Sequence, residues 1–469
     1  MEFGFWSLVP PLLTIVLALV TKNVFISLLI GIMTGSLVLN GWAIFPGINA
    51  GIYTILDTMT ESNTLIIASV LITSAIIHLA EKSGGIQGFV NVVVKRQQLI
   101  KSKRGANIFT WLLGLVVFTS GTLSCMVAGA VSRPVNDALK VPHEKAAYII
   151  HTTSTPWCVL FPFSGWLAAM TGYLVSGGVP ENEAVGLLFK SIPLNFYCVI
   201  SILMVFVLAL TQKDFGPMAK AEKRAAETGM LDDPAHAKPN ADTSKVTVEA
   251  TPRAINLLLP IGVLIAVMFA ALIITGGGNL MNGSGMRALI WAVTSSLLVA
   301  AVMCCVEKVF TPSQVIDEIF EGMKPMLPIT FVLLFGFTMG NIVKSLDTGN
   351  YLGSIFMSIL NPGLLPVITF IIALLISFAT GTSMGTMAIV AVLVLPMAYT
   401  MGSNLALVAG ALFGGSIFGD HASPISDTTI MTCSVTGCDI IDHVKTQLPY
   451  VCTAAGLSIV LYVVLGLVF

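Results

Sequence analysis

Charged residues are scarce in this sequence. They make up only 10% of the 469 residues, against roughly 25% in an ordinary soluble domain. The net charge of −1 gives no reason to expect a nucleic-acid partner. The apolar residues form long continuous runs, not the ten-residue alternation of an outer-membrane barrel. Because a spanning helix needs about 20 apolar residues, the composition predicts an all-α polytopic membrane protein.

Signals for secretion, disulfides and zinc are missing as well. The first residues include an acid and no basic cluster, so we predict no cleavable signal peptide. Most of the eight cysteines lie in apolar runs, where cysteine behaves as a small hydrophobe. Cys433 and Cys438 have no second pair at a zinc spacing. No His-Glu pair has the spacing of a zinc protease. We therefore predict neither a cofactor nor an enzyme.

The apolar runs predict about ten spanning helices in two groups. The predicted spans are 6–21, 23–41, 63–81, 146–176 and 192–211, then 254–276, 288–306, 326–343, 404–432 and 449–469. Residues 212–253 form the one long polar segment, with seven basic and seven acidic residues, which is a linker composition. The predicted domains are a first membrane repeat (1–211), a linker (212–253) and a second membrane repeat (254–469).

Two further apolar stretches, 106–131 and 364–399, are interrupted at their centres by Gly-Thr sequences. Broken backbone is tolerated at membrane depth where protein or a watery cavity surrounds it, so we predict two re-entrant hairpins. If both stretches are hairpins, 20 of the 23 basic residues lie on the same side of the membrane. The three exceptions are Lys190, Arg287 and Lys344. The excess of Lys and Arg in cytoplasmic loops then predicts a cytoplasmic linker and a bacterial inner-membrane location.

The two halves match each other in sequence. The break at 119–122 corresponds to the one at 379–382, and Ser154-Thr155-Pro156 corresponds to Ala422-Ser423-Pro424. Each half has five spans, which is an odd number, and a hairpin that does not cross the membrane. The second half therefore enters the membrane from the opposite face. Inverted repeats with broken helices and a midplane site are typical of secondary transporters. A membrane enzyme or a channel fits this pattern poorly.

The densest polar cluster lies at 415–429, inside an apolar span. Carboxylates such as Asp420 and Asp427 cost about 3 kcal/mol each at a helix centre, so they need a partner, a cavity or an ion. Carboxylate oxygens, hydroxyls and the carbonyls freed by Pro424 suit a hard cation. Two alternatives stay open. Asp420 and His421 could form a buried structural pair, and Asp427 could simply be solvated.

The two Gly-Thr breaks and His151, a histidine of the first half, are candidates for binding cargo. Glycine lets a substrate approach the backbone, and histidine titrates near neutral pH. The alternatives are packing of small residues between helices and a hydrogen-bonded core histidine. The candidate substrate-binding residues are Thr119, Ser120, Gly121, Thr122, His151, Ser154, Thr155, Thr380, Gly381, Thr382 and His421.

Several segments resemble the NhaC family of sodium/proton antiporters. They are residues 418–429 (FGDHASPISDTT), 437–450 (GCDIIDHVKTQLPY), 381–386 (GTSMGT), 133–134 (RP) and 144–149 (EKAAYI). The resemblance covers nearly the whole chain. It implies the ion-transporter superfamily fold, elevator-like movement of a transport domain and exchange of sodium for protons.

The first half departs from the family pattern. Similar family members carry acidic residues near the positions of Ser120 to Ser124 and at the position of His151, and this sequence has none there. Fewer buried acids mean fewer cation or proton sites, whereas hydroxyls and a histidine would suit a small organic metabolite.

These residues are compatible with two alternative functions. In the first, Asp420 and Asp427 bind sodium or a proton, while Ser383, Ser423 and Thr428 supply neutral oxygens. In the second, the chain takes up an amino acid or another small metabolite, coupled to sodium or protons. The expected partners are the lipid bilayer, a small cation and, in the second case, an organic solute. The oligomeric state stays open, with a homodimer among the alternatives.

Overall fold

A computed structural model describes residues 3–21, 23–94, 100–116, 118, 121–161, 166–235, 251–278, 284–357 and 360–468. Throughout these ranges the regular structure is helical. The helices of the first half are α1 (Val9–Thr21), α2 (Val24–Leu39), α3 (Ile44–Asp57), α4 (Glu61–Lys82), α5 (Gly85–Val94), α6 (Lys103–Val116), α7 (Gly121–Ala138), α8 (His143–Leu160), α9 (Trp166–Ser176), α10 (Glu181–Ser191) and α11 (Phe196–Thr211).

In the described part of the predicted linker (212–235 and 251–253) there is one helix, and ten helices are described after it. They are α12 (Gly216–Thr228), α13 (Ile255–Thr275), α14 (Gly285–Val306), α15 (Pro312–Met323), α16 (Leu327–Ser345), α17 (Thr348–Met357), α18 (Leu365–Thr380), α19 (Ser383–Met401), α20 (Leu405–Ala422), α21 (Asp427–Thr436) and α22 (Ile440–Val468). Short 3₁₀ turns lie at Gly4–Leu8, Ile192–Leu194, Lys324–Met326 and Pro362–Leu364.

Among the described residues, ten helical segments are long and apolar enough to cross a membrane. The prediction of an all-α polytopic membrane protein is confirmed, but the ten segments are not the predicted ten. Pro362–Thr380 and Ser383–Met401, the two arms of the second interrupted stretch, both qualify, whereas Val24–Leu39 is shorter. The predicted span 146–176 is divided between α8 and α9.

The order of helices repeats along the chain. In each half a long helix (α4 or α16) and a ten-residue helix (α5 or α17) precede a helical pair (α6–α7 or α18–α19). An interrupted helix (α8–α9 or α20–α21) follows, and a long apolar helix comes after it (α11 or α22). This order is what the predicted repeats require, and their inversion stays a prediction.

One proposed match between the halves is displaced. Pro424 lies in the connection between α20 and α21, but Pro156 lies inside α8. The interruption of the first half comes later, between Leu160 and Trp166. Proline is tolerated inside membrane helices because neighbouring groups satisfy the freed carbonyl. A Ser-Thr-Pro sequence alone therefore does not locate a break.

Both interrupted stretches are pairs of packed helices. In the first, the Thr110 hydroxyl donates to Asn136 Oδ1 (3.2 Å), and the Ser124 hydroxyl donates to the Gly114 carbonyl (3.0 Å). Contacts between residues 10 and 26 positions apart mean that α7 runs back along α6. In the second, α18 packs against α19 across the turn at Gly381. This packing fits the two predicted hairpins, and their re-entry without crossing the membrane stays a prediction.

The first part of the predicted linker is a docked helix. α12 packs against α8 and α22. Lys145 forms an ion pair with Asp214, and both side chains are buried. The Tyr450 hydroxyl donates to Asp214 Oδ1 (2.7 Å), and Arg224 Nη2 donates to both carboxylate oxygens of Glu144 (2.9 Å each). Charge balance alone could not reveal this docking, because a solvated linker has the same composition.

His143 secures the end of this docked segment. It is the first residue of α8, before the predicted span, and its ring lies 2.8 Å from Asp232 Oδ1 and 3.1 Å from Asp137 Oδ1. Burial opposes the charged imidazolium, but the hydrogen bonds to the two carboxylates outweigh it and raise the pKa of His143 to about 9. At neutral pH the imidazolium therefore bridges α7 and the segment after α12.

Removing one partner of the buried Lys145–Asp214 pair is expected to destabilise the protein strongly. Lys145→Met leaves an unpaired buried carboxylate, which should cost about 3–5 kcal/mol. The measurement is the melting temperature of the purified protein in detergent, with Lys145→Met/Asp214→Leu expected to recover part of the loss. Lys223→Met is the control, because the Lys223–Glu227 pair is exposed and such pairs contribute about 0–1 kcal/mol. An equal melting shift in both single variants would contradict the prediction.

Candidate functional site

A cavity of about 430 Å³ lies where the hairpin turns meet the interrupted helices. Its walls come from both halves of the chain. The lining residues are Val70, Ser74, Ile77, Gly121, Thr122, Thr155, Trp166, Ala169, Met326, Ile329, Gly381, Thr382, Ser383, Met384, Asp420, Ile425, Asp427 and Thr428.

The two carboxylates flank the break in the second half. Asp420 lies in the last turn of α20 and is 3% exposed. The Ser426 hydroxyl donates to its Oδ1 at 2.7 Å. Asp427 is the first residue of α21 and is exposed where it lines the cavity. A carboxylate at a helix N-terminus is favoured by the helix dipole, whereas Asp420 lies at a C-terminus, where the dipole favours a cation.

The first half contributes a hydroxyl that is free to bind. Thr155 is fully buried, and its Oγ1 has no hydrogen-bond partner among the described residues. Gly121, at the start of α7, lies against it, since a Cβ at this position would be 2.7 Å from Thr155 Oγ1. Buried hydroxyls are normally satisfied, so this oxygen is a candidate ligand for an ion or for cargo.

The turn of the second hairpin is shaped by Gly381. This residue ends α18 with φ of 69°, a left-handed conformation that glycine adopts readily. Thr382 then caps α19 by accepting a hydrogen bond from the Gly385 amide (3.4 Å). The turn places Ser383, the first residue of α19, at the cavity.

Many of the residues predicted from the sequence meet at this cavity. They are Asp420, Asp427, Ser383 and Thr428 from the ion-binding set, and Gly121, Thr122, Thr155, Gly381 and Thr382 from the substrate-binding set. Their roles as ligands stay predictions.

Other predicted residues lie away from the lining. The Ser423 carbonyl accepts from Thr429 Oγ1 (2.8 Å), and the Thr380 hydroxyl donates to the Ile376 carbonyl (2.8 Å). Each of these groups therefore forms a hydrogen bond with a residue close to it in the sequence. Thr119 and Ser120 lie outside the described residues.

The remaining first-half candidates are buried behind the lining. The Cys125 thiol donates to Ser154 Oγ at 3.1 Å. His421 lies 3.0 Å from Thr152 Oγ1 and 2.8 Å from the Tyr197 hydroxyl, so hydrogen bonds occupy both ring nitrogens. This arrangement favours the structural reading of His421 over contact with cargo.

His151 is not at the cavity, but it contacts a residue that is. Its Nε2 lies 3.0 Å from Thr428 Oγ1, and its Nδ1 lies 3.1 Å from Nε2 of His443. Both histidines are fully buried. Sequence reasoning missed His443 and Ser426 as functional candidates, although both lie inside the segments that carry the family resemblance.

The donors present suit a monovalent hard cation better than a transition metal. No group of three or more His, Cys, Asp or Glu that could hold a metal lies in the part of the chain described here. Residues 381–385 also fit the Gly-x-Ser-x-Gly pattern of a hydrolase nucleophile. In hydrolases that serine joins a strand to a helix, whereas Ser383 begins a helix that follows another helix, so the match lacks the structural context of that nucleophile.

Comparison with known proteins places this chain in a transporter family. A family model described as the Na+/H+ antiporter family matches residues 157–467. The chain belongs to the Na+/H+ antiporter family. The matched region contains α20, α21 and both cavity carboxylates. The resemblance to NhaC proteins seen in the sequence is thereby confirmed.

Individual relatives of this antiporter-family chain agree with that placement. An uncharacterised protein of Haemophilus influenzae is 31% identical over 99% of this chain and 91% of its own length. The Malate-2H(+)/Na(+)-lactate antiporter of Bacillus subtilis is 30% identical over 33% of this chain and 32% of its own. The Na(+)/H(+) antiporter NhaC of Alkalihalophilus pseudofirmus is 29% identical over 33% and 32%. The matches to these two antiporters span about a third of each.

The fold also has a relative of known structure. The YdaH transporter of Alcanivorax borkumensis superimposes with a TM-score of 0.59 at 15% identity, covering 90% of this chain and 88% of that one. At this identity the likeness concerns the fold alone.

Proposed function

We propose that this member of the Na+/H+ antiporter family exchanges sodium ions for protons, with the Asp420 carboxylate binding the two in turn. The observation that carries the proposal is the placement of Asp420. It is a buried carboxylate, facing a cavity formed by both hairpin turns and both interrupted helices.

Neutral oxygens around Asp420 would complete a sodium site. Thr155 and Thr428 would contribute hydroxyls from the two interrupted helices. Ser383 would contribute a third hydroxyl from the second hairpin. Hard cations prefer such oxygen ligands. Asp427 would add a second negative charge at the open side of the cavity. Ser423 would act through the chain connection between α20 and α21 rather than as a ligand.

Competition for one charge would couple the two ions. An isolated carboxylate at the centre of a spanning helix costs about 3 kcal/mol, and either a sodium ion or a proton removes that cost. Both cannot bind the same carboxylate oxygens together, because a protonated carboxyl no longer attracts a cation. Each crossing of the membrane would therefore carry one or the other.

We propose the following placement in the membrane. Residues 1–211 and 254–469 would be inverted repeats in a bacterial inner membrane, with the 212–253 segment in the cytoplasm. Ile77 and Met326 line the cavity and lie within five residues of Lys82 and Lys324, which this orientation places inside. The cavity would then face the cytoplasm, and movement of the hairpins past α4 and α16 would expose it to the other side.

A small organic solute as additional cargo is the second candidate. Two observations favour it. The cavity of about 430 Å³ is far larger than a sodium ion needs, and one relative is named as an antiporter of malate and lactate. Thr122 and Thr155 would then contact the solute.

Ion flux in proteoliposomes tests the first candidate. We expect that a sodium gradient alone drives proton movement, read by a pH-sensitive dye inside vesicles that contain the purified protein. A matched potassium gradient is the control and should give no signal. Absence of sodium-driven flux would contradict the proposal. Flux that appears only after addition of malate, lactate or an amino acid would favour the second candidate.

A further inference from the structure

A continuous chain of hydrogen-bonding groups leads from Asp420 into the protein, away from the cavity. Ser426 Oγ lies 2.7 Å from Asp420 Oδ1 and 2.9 Å from Thr428 Oγ1. His151 Nε2 lies 3.0 Å from Thr428 Oγ1, and His151 Nδ1 lies 3.1 Å from His443 Nε2. Each of the four links is within ordinary hydrogen-bond distance.

Every member of this chain can both give and take a proton. Hydroxyls and neutral imidazoles each have a donor and an acceptor site. His443 Nδ1, at the far end, is buried without a partner among the described residues. A buried polar atom of this kind is a natural position for a water molecule. His443 lies in the first turn of α22, two residues before Lys445, which the proposed orientation places in the cytoplasm.

We propose that Ser426, Thr428, His151 and His443 form a proton-transfer path between the cytoplasmic side and Asp420. This inference rests on the proposed sodium/proton exchange and deepens it, because it assigns the two ions separate routes. Sodium would arrive through the cavity. The proton would arrive through the protein behind it.

The transfer balances without any further reactant. Ser426 gives its hydroxyl proton to Asp420 Oδ1 and takes the hydroxyl proton of Thr428. Thr428 takes the Nε2 proton of His151, and His151 takes the Nε2 proton of His443 at its own Nδ1. A water molecule supplies a proton to His443 Nδ1. The net result is one proton gained by Asp420 and one lost by water, and rotation of the hydroxyls and rings resets the path.

Thr428 connects this path to the ion site. Thr428 lines the cavity, and its hydroxyl is the central link of the chain. A sodium ion bound to Thr428 Oγ1 would withdraw electron density from that oxygen and make it a poorer acceptor for the proton of His151. Bound sodium would thus slow transfer along the proton path as well as occupy Asp420, which makes the exclusion of one ion by the other tighter.

Comparison of two exchange modes tests the path. Exchange of radiolabelled sodium for unlabelled sodium needs no proton, whereas sodium-driven proton movement does. In proteoliposomes, His151→Gln and His443→Gln are expected to lower proton movement by about 100-fold while labelled-sodium exchange stays within about twofold of wild type, since a positioned proton relay contributes about 10²–10⁴. The amide of glutamine keeps hydrogen bonding but does not relay protons at neutral pH.

His143→Gln is the matched control, because His143 is a buried histidine on the same helix but bonds to Asp137 and Asp232 instead. Its ratio of proton movement to labelled-sodium exchange should equal that of wild type. Ser426→Ala provides a third break in the path, and Ser426 makes no side-chain cap for α21.

Two results would overturn the inference. One is a wild-type ratio in His443→Gln. The other is a parallel loss of both exchange modes in all three path variants, which would mean that these residues only hold the structure. A wild-type protein that exchanges labelled sodium but moves no protons would instead refute the proposed function itself.

Discussion

Asp420→Asn is expected to lower sodium-driven proton movement by at least about 100-fold, or about 2.7 kcal/mol in barrier terms, while the protein still reaches the membrane. The amide carries no negative charge to attract sodium, and it takes up no proton in the neutral pH range. Because asparagine has the same size, the packing around the end of α20 should survive. The measurement is initial dye response in proteoliposomes, normalised to the amount of reconstituted protein.

The same variant should also lose exchange of labelled sodium. Asp420 would be shared by both ions, so its loss differs from a break in the proton path, which spares sodium exchange. Asp57→Asn is the control, since Asp57 is an exposed carboxylate at the end of α3, away from the cavity lining. Near-wild-type proton movement in Asp420→Asn would remove this residue from the ion site.

The cavity residues of the second half could be predicted because their sequence signals are local and because a carboxylate in an apolar span has a high free-energy cost. Asp420 and Asp427 stand inside an apolar run, where an ionised group needs a reason to be present. The short sequence from Ser423 to Thr428 contains the break between α20 and α21 and three hydroxyl side chains. Composition at single positions therefore predicted which second-half residues meet at the cavity without any knowledge of tertiary contacts, and their role in binding an ion stays a prediction.

The other parts of the site depend on contacts that no single segment encodes. Val70 and Ile329 come from helices whose sequences are ordinary apolar spans. They reach the cavity only because α4 packs against α9 and α16 packs against α9 and α19. The pairing of His151 with His443 joins residues 292 positions apart. Periodicity and spacing describe one helix at a time, so they could not show this pair.

The docked helix α12 shows a different limit. Its charges look like those of a solvated linker, but the partners of Asp214 and Arg224 are Lys145 and Glu144, which are buried on α8. Burial of charge is tolerated only when the partner is present. From the sequence of 212–253 alone, the complementary charges on α8 could not be assigned to it.

Gly381→Ala is expected to reduce transport by about 10- to 100-fold, because a displacement of about 1 Å at a reacting group can cost that much. The added Cβ would lie 2.8 Å from the Ile425 side chain and 3.2 Å from its carbonyl group. Ile425 lies in the connection between the two cavity carboxylates, so the connection must move to make room. The measurement is sodium-driven proton movement in proteoliposomes.

Gly402→Ala separates this displacement from backbone strain. Gly402 ends α19 with φ of 68°, as Gly381 ends α18 with φ of 69°. A Cβ at Gly402 would meet no described atom within 4 Å. Both substitutions place an L-residue in the left-handed region, at about 1–2 kcal/mol each, so both should lower the melting temperature. Gly381→Ala should lower it further, because its Cβ also meets Ile425.

Only the hairpin variant should lose transport. Equal activity of Gly381→Ala and Gly402→Ala would mean that the second hairpin turn tolerates movement against Ile425, and the turn would then not set the distance between Ser383 and Asp420. A selective loss in Gly381→Ala, with both variants folded at the assay temperature, would tie transport to the contact between the two interrupted elements of the second half. The ion site would then depend on the fit of a hairpin turn against a broken helix, in addition to the carboxylate itself.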